Sequence, residues 1–271
     1  VGMQVLENAL DELAEAAGID PVELRKRNVP DRHPEQDIPY SSRRFTEALD
    51  EGAKIFEWDK RNRKPGSLRE GEWLIGHGMA GAARVNILSE ARARVTLHAD
   101  GRALVETDMT DIGTGTYAIL TQIACDMLGL PADRVETRLG DSDLPSGPGS
   151  GGSWGASSSG SAVFLACEEI RRAIAGKLEI DEAELRLGNG KAGSGEEARS
   201  IREILDGETL SADGHIEPGQ TLEEMQQATY GSYFAEVAVN AVTGETRVRR
   251  MLGVFGAGRI LNEKTATSQC Y

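Results

Sequence analysis

Two glycine-rich stretches, each running into a helical pattern, are where residue types and spacing in this chain could do chemistry. Asp111-Ile112-Gly113-Thr114-Gly115-Thr116-Tyr117 lies between strand-like residues ending near Thr107 and a pattern of Ile119, Ile123 and Met127 that closes at Gly129, with Pro131 beyond. A glycine turn at a helix start presents backbone amides and the positive end of the helix to one point, and glycine lets a ligand approach where a side chain would exclude it. The second stretch, from Gly147 to Gly160, interleaves glycines and serines around Trp154 and leads into Val163, Ala166, Ile170 and Ile174 at helical spacing. A Gly/Ser tract of this kind is by composition a flexible linker. The strand-like Val135 to Leu139 before it, the tryptophan inside it and the apolar helix directly after it argue instead for an ordered loop. Two such loops at two helix starts fit an extended anionic ligand better than two unrelated turns.

Other motifs carry less. Gly151-Gly152-Ser153-Trp154-Gly155 has the GxSxG form of a hydrolase nucleophile elbow, with Ser153 as the serine, but Pro145, Gly147, Pro148 and Gly149 stand where that motif needs a buried strand. The histidine downstream, His215, falls in a polar Asp-Gly-His sequence read as a turn. No GxxxxGK[ST] is present, and Ala118 stands at the third glycine position of GxGxxG, so neither nucleotide-binding signature is met. Asp111 reads as a hydrogen-bond acceptor that orders its loop. Cys125, Cys167 and Cys270 form no CxxC pair, and the first two fall in apolar helical patterns, so they read as small buried hydrophobes and no metal site is expected from them.

The elements that must position these loops follow from periodicity. Leu6, Leu10, Leu13 and Ala17 mark a helix that stops at Gly18, and a short helix restarts with Asp20 as N-cap and Pro21 at its first position. Phe45, Leu49, Gly52 and Phe56 mark a third helix, and residues 57–71, charged from Asp59 to Glu70, read as a linker. From Trp73 the period changes. Ala91 to Leu97 alternates as a half-buried strand, Asp100 and Gly101 supply a positive-φ pair for a hairpin turn, and Ala103 to Thr107 returns. A second pair runs from Tyr230 to Val239 and from Glu245 to Phe255. Residues 177–228 hold strand-like Glu184 to Leu187 and a short helix near Ile201 to Leu205, with no chemistry placed there. The class is α+β, with mixed helices and antiparallel hairpins. The expected division is a helical segment over 1–71 and an α+β domain over 72–271.

At 271 residues the chain is long enough for one large or two ordinary domains. Its 30 Lys and Arg against 44 Asp and Glu give a net charge of -14, which repels a phosphate backbone and makes nucleic acid an unexpected partner. No run approaches the roughly 20 apolar residues of a membrane span. Cytoplasmic and periplasmic placements both fit.

At the residues Asp111 to Thr116, Gln122-Ile123-Ala124, Leu128 to Pro131, Leu139 to Pro145 and the Gly/Ser tract, the sequence resembles the molybdopterin-binding large subunit of the xanthine dehydrogenase and aldehyde oxidase family, and within it the bacterial periplasmic aldehyde oxidoreductases. The flanks agree in Gly18 to Arg25, Tyr40 to Ser42, Gly244 to Val248 and Gly258 to Asn262, so the likeness covers nearly the whole chain. The resemblance implies oxidative hydroxylation of an aldehyde or an N-heterocycle with oxygen from water. It implies a molybdenum-pterin cofactor in a cytosine dinucleotide form, and iron-sulfur and FAD-binding partner subunits. It places residues 1–71 in the tail of a first cofactor-binding domain and 72–271 in a second, incomplete one. Gly113, Thr114 and Gly115, with Thr116 beside them, match the family's GQG loop, Thr114 standing where a glutamine usually meets the pterin. Gly151, Gly152, Ser153 and Trp154 match the loop near the metal and phosphate groups. The family's catalytic glutamate falls beyond Tyr271, which implies a fragment with no catalytic residue of its own. The alternatives are a non-enzymatic anion-binding or structural module and a GxSxG serine hydrolase.

Overall fold

Left-handed glycines at Gly18, Gly129 and Gly244 end a helix, end another and turn a hairpin, each where the sequence pattern breaks. A computed structural model describes residues 2–195 and 197–270. In chain order the elements are α1 (Gly2–Ala17), α2 (Pro21–Arg27), α3 (Phe45–Phe56), β1 (Leu68–Glu70), β2 (Trp73–Val85), β3 (Ala91–Leu97), β4 (Ala103–Thr107), α4 (Thr116–Leu128), β5 (Val135–Leu139), α5 (Gly155–Leu178), β6 (Arg186–Gly188), β7 (Lys191–Ser194), β8 (Glu197–Ser200), α6 (Ile201–Leu205), β9 (Leu210–Ile216), α7 (Thr221–Glu224), β10 (Ala228–Asn240), β11 (Thr246–Gly256) and α8 (Glu263–Ser268). The α+β class holds. The strands form sheets of order β1-β2-β10-β11, β5-β4-β3-β9 and β6-β7-β8. Among the described residues every strand pair is antiparallel except β4 with β5, which the helix α4 connects.

The chain divides into two compact units, Val1–Val85 with Leu222–Arg259, and Asn86–Thr221 with Ile260–Tyr271, rather than at residues 71 and 72. The reason is strand pairing: β2 pairs along its length with β10, and α3 packs on β10 and β11, so the early helices and the late hairpin share one core. In this first unit Val22, Leu49, Phe56, Trp58, Met79 and Phe234 pack together. The stretch read as a linker is not one. Trp58 is buried, its indole donates to the Asp20 carboxylate at 3.2 Å, the Arg61 guanidinium stacks 3.8 Å over its ring, and Leu68–Glu70 forms β1. Asp20 also caps α2 as expected, accepting from the Val22 amide at 2.9 Å. On α1 the residues facing the unit are Glu7 and Ala14, while Leu6 and Leu13 are exposed. Glu7 is held by Arg25, 2.7 Å away, and accepts from the Gly81 amide at 2.6 Å.

The second unit lays α4 and α5 on the sheet β5-β4-β3-β9. Ala93, Val95 and Leu97 from β3, Val105 from β4, Leu120, Ala124 and Leu128 from α4, and Val163, Ala166, Ile170 and Ile174 from α5 form its core. The α4 stripe is therefore one position out from the residues that revealed it, Ile119, Ile123 and Met127. Three corrections apply here. His215 lies in β9 and not in a turn, and Gly214 marks close packing, because a Cβ there would meet the Ala162 carbonyl of α5 at 1.9 Å. Only Gly101 of the β3–β4 turn takes a positive φ; Asp100 does not. Residues 182–184 form a short 3-10 turn, so the strand expected from Glu184 begins at Arg186. The α6 helix sits where expected, opened by a reciprocal Ser200–Glu203 capping box.

Candidate functional site

The β4 strand ends at Thr107, and the chain crosses residues 108–115 to the start of α4. Within that crossing Asp111 gathers the backbone. Its Oδ1 accepts from the amides of Gly113 at 2.8 Å, Thr114 at 3.0 Å and Gly115 at 3.3 Å, and its Oδ2 from that of Tyr117 at 3.3 Å. Burial works against the charge on Asp111, but the amide donors outweigh it and hold the carboxyl below the usual aspartate range. The Thr114 and Thr116 hydroxyls lie 3.3 Å apart, and Thr116 is buried as the first residue of α4.

The second loop is tied to the first. Gly147 donates its amide to the Asp108 carboxylate, and the Asp108 amide donates to the Pro145 carbonyl at 2.8 Å. The Ser150 hydroxyl donates to the Thr110 carbonyl. Below them Met109 is buried, with its sulfur 3.2 Å from the Ser159 hydroxyl of α5. Trp154 closes the second loop on itself, its indole donating to the Pro148 carbonyl at 3.0 Å. Residues Gly151, Gly152, Ser153 and Trp154 thus sit in an ordered turn, where Ser153 takes φ +61. Behind them the Ser158 hydroxyl accepts from the Ser89 amide at 2.9 Å.

The glycines sort into two kinds. A Cβ on Gly115 would lie 2.3 Å from Thr265 Cγ2 of α8, and one on Gly152 would lie 2.0 Å from the Trp154 ring. Those two positions are small because protein atoms fill the space beside them. Gly113 at φ +95 and Gly149 at φ +72 have no heavy atom within 4 Å of where a Cβ would be, so the backbone there faces open space. Sequence reasoning had put Gly113 and Gly115 in one role; the structure separates them. It also adds residues that pattern reading gave no role. Asn262 caps α8 by accepting from the Thr265 amide at 3.0 Å and donates to Gln122 of α4 at 3.2 Å, and Gln122 donates to the Leu261 carbonyl at 2.6 Å. Asn262, placed directly before a helix-forming run, carried an N-cap signal.

Asp111 takes the Gly113, Thr114, Gly115 and Tyr117 amides and Asp108 that of Gly147, so what the two loops present is chiefly hydroxyls and the open backbone at Gly113 and Gly149. This suits an organic cofactor gripped by its polar edges, and offers no ligand set for direct protein ligation of a metal. Among the described residues the one cluster of metal-capable side chains is Glu90, His215 and Glu217, all exposed and outside the loops. Cys167 is buried with its thiol pushed up to about 12, and burial also raises Cys125, so both stay protonated. The hydrolase alternative finds no support: residues 140–154 form no strand before Ser153, and the His215 Nε2 is engaged by Glu90 at 3.0 Å.

A sheet of order β5-β4-β3-β9, with two helices whose starts carry interlocked glycine loops, defines an α+β class rather than a doubly wound one. Residues 51–271 match the family described as Molybdopterin cofactor-binding domain, and the chain belongs to that family. It is 48% identical over 269 residues to the aldehyde oxidoreductase molybdenum-binding subunit PaoC of Escherichia coli (strain K12), which covers 99% of this chain and 37% of that protein. It is 29% identical over 288 residues to the probable hypoxanthine oxidase XdhD of the same organism, covering 97% of this chain and 30% of that protein. The chain thus spans about a third of the length of these relatives. Among solved structures it is similar to quinoline 2-oxidoreductase from Pseudomonas putida 86, with a TM-score of 0.82 and 22% identity over 99% of this chain and 38% of that one. It is also similar to CO dehydrogenase from Oligotropha carboxidovorans, with a TM-score of 0.81 and 19% identity over 98% and 38%. At those identities the likeness establishes the fold. No helix of the described residues is long and apolar enough to cross a membrane.

Proposed function

We propose that this chain is the part of a molybdenum hydroxylase large subunit that holds the pterin cofactor, with Gly113, Thr114, Gly115 and Thr116 on one side and Gly151, Gly152, Ser153 and Trp154 on the other. The observation that carries this reading is the interlock of the two loops through Asp108, Thr110, Gly147 and Ser150, which makes one binding edge from two separated sequence motifs. When bound, the cofactor supplies the two-electron oxidation that hydroxylation by water requires. This chain's residues bind and orient. The open backbone at Gly113 and Gly149 admits a flat ring system, the Thr114 hydroxyl offers a polar contact, and Trp154 stiffens the loop beside it.

The 48% identity to a molybdenum-binding aldehyde oxidoreductase subunit supports an aldehyde as the substrate of the whole protein, with an N-heterocycle as the other member of the class. Iron-sulfur and FAD-binding subunits are the proposed electron acceptors, and the cytosine dinucleotide is the proposed cofactor form.

The test uses the full-length gene product co-expressed with its neighbouring subunits. Molybdenum, pterin and released nucleotide are quantified together with aldehyde-dependent dye reduction, for the wild type and for Gly149→Val, whose side chain enters open space rather than the Trp154 ring. Cofactor and turnover in the wild type, both lost in a folded variant, are the expected result. A folded complex without molybdenum, made in cells that load other molybdoenzymes, would overturn the proposal.

A further inference from the structure

The outer face of the β5-β4-β3-β9 sheet carries three side chains able to ligate a metal, away from the two loops. His215 lies on β9 opposite Arg92 of β3, and the next pair, Ile216 with Ala91, turns inward to the core. Strand alternation sends Glu217 and Glu90, one step further on, back to the face of His215. The three ligand atoms lie within 4.8 Å of one another, with His215 Nε2 3.0 Å from Glu90 Oε1 and 3.7 Å from Glu217 Oε1. Zinc holds nitrogen and carboxylate oxygen at about 2.0–2.2 Å, which sets neighbouring ligands of a tetrahedral shell about 3.3–3.6 Å apart. The observed separations bracket that spacing. Two carboxylates facing each other across a strand pair repel. Arg92, 3.6 Å from Glu90, offsets this through a solvent-exposed ion pair of the weak kind, which a bound metal can displace.

We propose that Glu90, His215 and Glu217 form a site for a divalent transition-metal ion of the zinc class, which staples the two ends of the second unit together. The main run of that unit is Asn86–Thr221, so Glu90 follows its entry by four residues and Glu217 precedes its exit by four. The imidazole selects against magnesium and calcium, which take oxygen ligands, and the two carboxylates neutralise the ion. Water completes the shell from the open cavity that Glu90 and His215 line. An ion here fixes Glu90, and the amide of Ser89 beside it donates to the Ser158 hydroxyl of α5 at 2.9 Å. The metal thereby stiffens the support behind the second loop. The site does not rest on the cofactor reading.

The test uses the untagged full-length complex, freed of loosely held ions by dialysis against a chelator, with zinc chloride as the probe. Equilibrium dialysis compares the wild type with His215→Gln and Glu217→Gln. The wild type should bind a zinc ion that His215→Gln does not, with circular dichroism unchanged. Changes outside the ligand shell cost about 10–100-fold in metal affinity, so loss of a ligand in Glu217→Gln should weaken zinc by about tenfold or more. Amide hydrogen exchange of the wild type gives an answer even where a variant fails to fold: zinc should slow exchange at residues 90–92 and 214–217. Equal zinc binding by the three proteins, or exchange at those residues that zinc leaves unchanged, overturns the proposal.

Discussion

Gly113 and Gly115 are two residues apart, both have positive φ, and alanine should cost very different amounts at each. Placing a non-glycine residue at φ +95 or φ +82 costs about 1–2 kcal/mol in the backbone alone. At Gly113 nothing is added, because the new methyl meets no heavy atom within 4 Å. At Gly115 the methyl would lie 2.3 Å from Thr265 Cγ2 and 3.0 Å from its Cβ, and overpacking of that kind adds about 1–3 kcal/mol. Urea unfolding followed by circular dichroism should therefore give losses of about 1–2 kcal/mol for Gly113→Ala and about 2–5 kcal/mol for Gly115→Ala, with each kcal/mol lowering Tm by roughly 2–4 °C. Thr265→Ser removes the offending methyl and keeps the hydroxyl that donates to the Asn262 carbonyl at 3.2 Å. Combined with Gly115→Ala it should recover about 1–2 kcal/mol, a favourable coupling in the double-mutant cycle. Equal losses at the two glycines, with no rescue by Thr265→Ser, would refute the packing of α8 on this loop.

Three further outcomes follow from the packing and the charges. Arg25→Met should cost about 3–5 kcal/mol in the same unfolding assay, because the Arg25 side chain is only 2% exposed and its loss strands the buried Glu7. For Asp20, burial opposes the charge, yet the Arg61 hydrogen bond and charge, the Trp58 indole and the Val22 amide together lower its pKa, so its contribution is present above the unfolded value of about 3.9 and fades as pH falls through the folded one. Asp20→Asn should cost about 1.5–3 kcal/mol at pH 7, and the stability curves of the two proteins should converge as the pH falls through the lowered folded-state pKa. With iodoacetamide at pH 8, mass spectrometry should find Cys270 modified first and Cys167 last, since Cys270 is exposed while the Cys167 thiol is held protonated by burial.

Much of the second unit was legible because its residues repeat at clean periods. Val163, Ala166, Ile170 and Ile174 fall on the buried side of α5, and Ala91 to Leu97 alternates as a strand should. The β2 strand was not legible. Gly76, Gly78, Ala80, Gly81, Ala82 and Ala83 carry too little apolar bulk to show a period, and the smallness has a tertiary cause: a Cβ on Gly81 would meet the Phe45 ring at 2.8 Å. Trp58 was lost among charged neighbours, although its partners Asp20 and Arg61 were in plain view. At the site, the loops and the ordering role of Asp111 could be read from glycine spacing and helix starts. Their interlock could not, since Asp108 and Ser150 find partners roughly 40 residues away through single polar contacts that leave no pattern. Nor can a sequence tell a glycine kept small by Thr265 from one that faces open space.

The pairing of β2 with β10 bears on how the chain is made. Val85 aligns with Ala228, so during synthesis β2 leaves the ribosome long before its partner exists and must wait while all of residues 86–221 follow. A waiting strand with one open edge is a template for wrong pairing. The Gly- and Ala-rich stretch from Gly76 to Ala83 gives that edge few side chains with which to hold a stranger, and low β propensity until β10 arrives. The same small residues that hid β2 from the sequence reading leave its register weakly specified until β10 supplies a long partner.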